Sequence, residues 1–239
     1  MTKSWTNSSV IIHTIPRNSS VPVLNTQTLW PGPDGSSFYP WAGQQSTLAA
    51  KVKAPTGPLW KFKADGINGS WEQTPESSDP EGIHRTNGGA GFAVGDMAYY
   101  LGGTGFGRTD DVFTDPETQT PVPGVISFNF TSNTWRNDSS IGLNAAGTSW
   151  SPQTIPITAL GSDNRKILVV IGGTDPGLIP HDETPPYWDT TIFLDFSNVT
   201  MYDPYLGIWL AQQATGKIPP PRTEYCAVVV KGDDETYEM

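Results

Sequence analysis

Cysteine occurs once in 239 residues, at Cys226, so no internal disulfide framework is available. No run approaches the roughly 18 apolar residues of a membrane-spanning helix. The opening Met1-Thr-Lys-Ser-Trp-Thr-Asn7 lacks the apolar core of a secretory signal. Basic residues are outnumbered, 14 against 24 acidic, and the formal charge of −10 repels phosphate backbones and anionic lipid, so nucleic acid is not an expected partner. The three histidines, His13, His84 and His181, are scattered, whereas a metal site needs three or four converging ligands. His181-Asp182-Glu183 is the tightest polar cluster, but Pro180 before it and Pro185-Pro186 after it mark a surface loop. No metal or other cofactor is expected. Glycine and proline, at 25 and 22 residues, are abundant instead, which implies many turns, short strands and no long helix.

The chain repeats itself. Met97-Ala-Tyr-Tyr-Leu-Gly-Gly103 returns as Lys166-Ile-Leu-Val-Val-Ile-Gly-Gly173, an apolar run of alternating faces ending in two glycines. That pattern suits a buried strand that must turn at once in a backbone conformation a Cβ would obstruct, and it makes Gly102, Gly103, Gly172 and Gly173 structural. A worn copy ends at Ala42-Gly43. Tryptophans keep the same beat: Trp5, Trp71, Trp135 and Trp209 are 66, 64 and 74 residues apart, interleaved with Gly43, Gly103 and Gly173 at 60 and 70. One unit is therefore a diglycine strand, a loop of variable length, and a strand ending near tryptophan.

In order, residues 5–13 read as the last strand of a unit whose beginning is missing. Residues 26–30 and 37–42 form a hairpin across Pro31-Gly-Pro-Asp-Gly35, and 58–63 leads through a turn at Asn68-Gly69 to Trp71. The second unit uses 88–94, a turn at Gly95-Asp96, 97–101, 125–130 and 134–135. The third uses 154–160, 166–171, 191–196 with 201–202, and 208–210. A fourth begins at 225–230.

Four short strands per unit, a diglycine after the second and a tryptophan opening the fourth make the chain resemble a kelch-type β-propeller. Pro221-Arg222 before Tyr225-Cys-Ala-Val-Val matches the arginine that precedes a first kelch strand, and Arg85 is read at the same place. Val199-Thr-Met-Tyr-Asp-Pro204 with Gly207-Ile-Trp209 resembles the third strand, turn and tryptophan. The resemblance covers nearly the whole chain and is closest to the secreted, often membrane-anchored kelch-repeat proteins of filamentous fungi. It implies an all-β, incomplete propeller: full four-stranded blades at about 21–75, 83–140 and 148–214, with partial blades at 1–20 and 219–239. Arg85 and Arg222 are then expected to hydrogen-bond carbonyls between strands or blades.

Six of eleven asparagines, Asn7, Asn18, Asn68, Asn129, Asn137 and Asn198, stand in Asn-X-Ser/Thr acceptor sequences, more than composition alone produces. They point to a parent in the secretory pathway, extracellular or at the cell surface, although polar turns are rich in these residues anyway. Catalytic groups do not assemble. Copper radical oxidases are kelch propellers that use tyrosine and cysteine, as in Tyr225-Cys226, but their chemistry needs a cross-linked pair, a second tyrosine and two histidines near the axis, and no such set is visible. Cys226 reads as a small core residue of an inner strand. Trp30, Trp41, Trp150 and Trp188 lie in or beside loops and serve either the core or a ligand surface. The favoured function is a non-enzymatic scaffold whose loops 105–123 and 175–190 bind protein or carbohydrate; the alternative is a propeller enzyme with its active groups in other blades.

Overall fold

A computed structural model describes residues 13–46, 48, 59–75, 82–158, 165–178, 192–233 and 236–238. These are all-β. Sheet 1 runs β1 (Thr28–Pro31), β2 (Ser37–Trp41), β3 (Trp60–Asp65) and β4 (Asn68–Gln73) in spatial order. Sheet 2 runs β5 (Ala90–Val94), β6 (Met97–Leu101), β9 (Val125–Asn129) and β10 (Thr134–Asp138), and a small hairpin, β7 (Thr104–Gly105) with β8 (Thr120–Pro121), is inserted between its second and third strands. Sheet 3 runs β11 (Gln153–Thr158), β12 (Lys166–Ile171), β13 (Asn198–Asp203) and β14 (Ile208–Gln213). Every pairing is antiparallel, and within each sheet the paired strands follow one another along the chain, β6 and β9 with the small hairpin between them. Each of the three central units expected from the repeat is thus one four-stranded sheet. The sheets lie side by side, β1 against β5 and β5 against β11, and they do not close into a ring.

Alternation explains why sheet 2 sits in the middle. Ala98, Tyr100, Ile126 and Phe128 pack with Trp30, Tyr39 and Trp41 of sheet 1, while Tyr99, Leu101 and Val125 pack with Leu168, Val170 and Tyr202 of sheet 3. A strand with both faces apolar must be covered on both, and here each face has its own neighbour. The tryptophan positions complete these clusters. Trp135 packs on Trp41 at 4.4 Å, Trp209 donates its indole N–H to the Ser139 carbonyl of sheet 2 at 2.9 Å, and Trp71 closes an aromatic triad with Phe38 and Phe62. Trp30 donates across the same junction to the Tyr99 carbonyl at 2.9 Å.

The diglycines hold the sheets in register. Ala42-Gly43, Gly102-Gly103 and Gly172-Gly173 all adopt paired positive φ, from +61° to +91°. The N–H of the second residue crosses to the segment entering the next sheet: Gly43 to Thr86, Gly103 to Ser149 and Gly173 to Arg222, at 2.9, 2.9 and 3.0 Å. The residue after it then pairs back within its own unit, as Gln44 with Asn25, Thr104 with Asn87 and Thr174 with Trp150. A Cβ on Gly103 would sit 2.5 Å from the Asn87 carbonyl oxygen, and one on Gly102 2.8 Å from that of Ser149, so these sites exclude side chains sterically as well as through φ.

Several expectations are corrected. The hydrogen bond from Gly173 puts Arg222 level with Thr86 and Ser149, one place beyond Arg85. The hairpin turn before Trp71 is Gly66-Ile67, with Gly66 at φ +58°, while Asn68 and Gly69 already belong to β4. Residues 192–196, the described part of the strand expected at 191–196, hold an isolated bridge at Phe193 and no strand, and the third strand of sheet 3 begins at Asn198. Residues 225–230 are not a full strand: only Val230–Lys231 pairs, with Tyr237–Glu238. Residues 221–230 nonetheless alternate between half-buried and exposed, with Tyr225 donating to the Ile171 carbonyl and Cys226 on the bare side. Cys226 is therefore exposed, because the segment has one supported face and not two. The strand expected at 5–13, with Trp5, lies outside the described residues apart from His13.

Candidate functional site

The diglycine turns place the ends of β2, β6 and β12 on one rim, with residues 42–46, 102–123 and 172–178 leaving from it. There the loops of adjacent sheets are tied together. The Gln45 N–H donates to the Arg108 carbonyl at 3.0 Å, and the Arg108 guanidinium reaches the Ser46 carbonyl at 3.4 Å and Glu117 at 2.7 Å. The β8 strand touches the 3-10 turn Pro176–Leu178 of sheet 3. Loop 105–123 is built on its own polar bonds. Buried Thr109 closes a turn on Phe106 through both its side-chain bonds, and Asp115 accepts the Glu117 and Thr118 N–H groups and the Thr118 hydroxyl, which hold its carboxyl below the usual range. Asp110 accepts the Arg85 N–H at 3.0 Å and lies 3.7 Å from His84 Nδ1, joining the entry to sheet 2 to the same loop. Phe113 fills the space over Gly105 and meets the His84 ring edge-on. Exposed Val112 lies among these acceptors, its N–H donated to Asp110, and Leu178, on the 3-10 turn that touches β8, is exposed as well. Such a surface can hydrogen-bond and give shallow apolar contact.

No family model and no curated protein matches this chain.

The residues singled out from sequence separate into two groups. Gly43, Gly102, Gly103, Gly172 and Gly173 are buried at the sheet junctions, and Trp71, Trp135 and Trp209 are half-buried on the outermost strands. Trp30 and Trp41 belong to the core, stacked with centroids 6.0 Å apart, and not to a ligand surface. Trp150 lies against Gly88 at the entry to sheet 3, and Trp188 and His181 fall outside the described residues. Arg85 places its guanidinium 4.9 Å from the Trp41 ring of the preceding sheet, a cation–π contact across the junction. Arg222 turns back on the Pro220 carbonyl, and it is its own backbone carbonyl, not its guanidinium, that bridges to sheet 3.

Among the acceptor asparagines, Asn18, Asn68, Asn137 and Asn198 are exposed. Asn129 is half-buried and its side-chain oxygen takes the Thr131 and Ser132 N–H groups of the β9–β10 turn, the job Asp203 does for Tyr205 and Leu206 in sheet 3. Asn7 lies outside the described residues. Among the described residues, no three of His, Cys, Asp and Glu converge as a metal site would require, and no helix is long and apolar enough to cross a membrane.

Two features escaped the sequence pattern. The hydroxyl of buried Tyr202 donates to Asp138 of sheet 2 at 2.6 Å, and Arg136 braces the same carboxylate. Burial, followed by the bond to Asp138, raises the Tyr202 pKa well above its ordinary value. Asp203 is buried with Arg165 3.3 Å away. A tyrosine-aspartate pair next to a tryptophan strand was visible, but its partners lie 64 and 38 residues away and no local signal names them.

Proposed function

We propose that this chain is part of a kelch-type β-propeller, of the secreted or membrane-anchored kind found in filamentous fungi, and that it works as a non-enzymatic scaffold at the cell surface or outside the cell. The observation that carries this reading is one junction used three times: a paired positive-φ turn, a cross-sheet hydrogen bond and a bridge back, setting first strands side by side. Repeated sheets with covered faces are the arrangement a propeller extends until its last sheet meets its first. The bare side of residues 221–230 is covered, in this reading, by further strands of the same kind.

The loop rim over Arg108, Asp110, Asp115 and Glu117 is the binding face, and its ligand is a protein or a carbohydrate. Its hydrogen-bond acceptors and modest apolar contacts suit hydroxyl-rich or extended polar ligands. The exposed acceptor asparagines support a glycoprotein.

Two measurements test the proposal. Native protein from a eukaryotic secretory host, treated with an amidase that converts glycosylated asparagine to aspartate in heavy-oxygen water, is expected to carry label at Asn68 and Asn137; unlabelled peptides at all acceptor sites refute the compartment. On a glycan and peptide array, shortening residues 107–118 is expected to abolish binding without lowering the melting temperature of the rest. Binding that survives the deletion, or stoichiometric copper with peroxide production, defeats the scaffold reading.

A further inference from the structure

The fourth strands β4, β10 and β14 are the outer edges of their sheets. Register makes them comparable residue by residue, because each carries a tryptophan opposite an aromatic residue of the third strand: Trp71 opposite Phe62, Trp135 opposite Phe128 and Trp209 opposite Tyr202. The next residue, within the strand and exposed in all three, is Glu72, Arg136 and Leu210. A charge on an edge strand is a standard guard against pairing with another chain. The β4 edge has that guard and an acceptor asparagine at Asn68; β10 has Arg136, Asp138 and Asn137. The β14 edge, Ile-Trp-Leu-Ala-Gln-Gln, has neither charge nor acceptor sequence. The turn before it adds Tyr205 and Leu206, 80% and 53% exposed, beside Ile208 at 43% and Leu210 at 39%, so four large apolar side chains stand in solvent within six residues. A cluster of that kind on an open edge calls for a partner.

We propose that β14 is a self-pairing edge: two copies of this chain join antiparallel about a two-fold axis at Leu210, fusing two four-stranded sheets into one of eight strands. The occupant is a second copy because the strand matches itself. In this register Leu210 meets Leu210 of the partner subunit and Ile208 meets Gln212 of the partner subunit, with no charge opposed, as an isologous contact requires. The same register on β4 or β10 would set Glu72 against Glu72 or Arg136 against Arg136, and like charges directly opposite destabilise a strand pair. Alternation puts Ile208, Leu210 and Gln212 on the face away from Trp209, whose indole stays on Ser139, so pairing disturbs nothing in the junction with sheet 2.

Sedimentation of the full chain is expected to give twice the chain mass, and Leu210→Arg to give a folded monomer whose melting temperature, unlike that of the wild-type chain, does not depend on protein concentration. Arginine is what β10 carries at this position, so the fold accommodates it. Separately, Leu210→Cys in a Cys226→Ser background is expected to form an intermolecular disulfide under mild oxidation, since opposed Cα atoms in such a pair are about 4.5–5.5 Å apart, within disulfide reach; Glu72→Cys in that background is expected not to. A monomeric wild-type chain overturns the proposal. So does a Leu210→Arg protein that still associates, or association abolished by Val228→Lys on the bare side of residues 221–230 and not by Leu210→Arg.

Discussion

Replacing Gly103 by alanine, beside the same change at Gly207, separates two costs that are usually confounded. Both glycines have positive φ, +91° and +68°, but a Cβ on Gly207 meets nothing within 4 Å, whereas one on Gly103 meets the Asn87 carbonyl oxygen at 2.5 Å and the Gly89 nitrogen at 2.9 Å. The left-handed conformation costs an alanine about 1–2 kcal/mol, and a stiffer unfolded chain returns about 0.4–1 kcal/mol. Gly207→Ala therefore costs about 0.5–1 kcal/mol net. At Gly103 the backbone must also move, which strains the Asn87–Thr104 pair of hydrogen bonds, at 2.8 and 2.9 Å, and the Gly103 bond to Ser149 at 2.9 Å. At about 1 kcal/mol for each of the three bonds, added to the conformational cost, the total comes to about 3.5–4 kcal/mol. For a chain of this size that lowers the melting temperature by about 7–16 °C, against about 1–4 °C for Gly207→Ala. Thermal unfolding followed by circular dichroism reads both values. Equal shifts would show that φ alone governs these turns and that the close approach at the sheet junction has no energetic weight.

Alkali should unfold the protein through its tyrosines. Burial pushes Tyr100 and Tyr225 up to about 12 and raises Tyr202 further, so the folded chain keeps protons that the unfolded chain releases near pH 10, and stability present below that pH falls as the pH rises toward 12. Urea midpoints measured between about pH 9 and pH 12 should drop steeply, less so for Tyr100→Phe; a flat profile contradicts the burial. Arg108→Ala, which cuts the ties to Ser46 and Glu117, should speed amide exchange across residues 105–118 while changing global stability by about 1 kcal/mol or less; unchanged exchange there would mean that the loops hold themselves.

The apolar runs that end in two glycines were legible as strands. Met97–Leu101 and Lys166–Ile171 stand where their apolar runs placed them, and the turn at Gly95-Asp96 closes the β5–β6 hairpin. Period-two alternation is a local property, and a diglycine carries its own conformational reason. What failed was decided by distant partners. Asn68-Gly69 has the composition of a turn, but Gly66 at φ +58° takes that role two residues earlier and leaves Trp71 in register with Phe62. Residues 225–230 have the apolar content of a buried strand yet keep one face bare, because burial depends on what lies across from them. Trp30 and Trp41, beside a Pro-Gly turn, looked like loop residues until sheet 2 arrived to cover them. At the rim, Arg108, Glu117 and Ser46 come from two units, and nothing in either stretch announces the other.

The indoles of Trp30, Trp41 and Trp135 lie with centroids 4.4–6.0 Å apart at the junction of the first two sheets, while the second junction has Trp209 alone among the cluster residues. Chromophores that close share their excited states, so the first junction should announce itself by a paired circular-dichroism band that vanishes when the rings part. Docking of one sheet pair can then be timed optically, with the other silent, and the order in which the sheets assemble becomes a kinetic observable needing no attached dye.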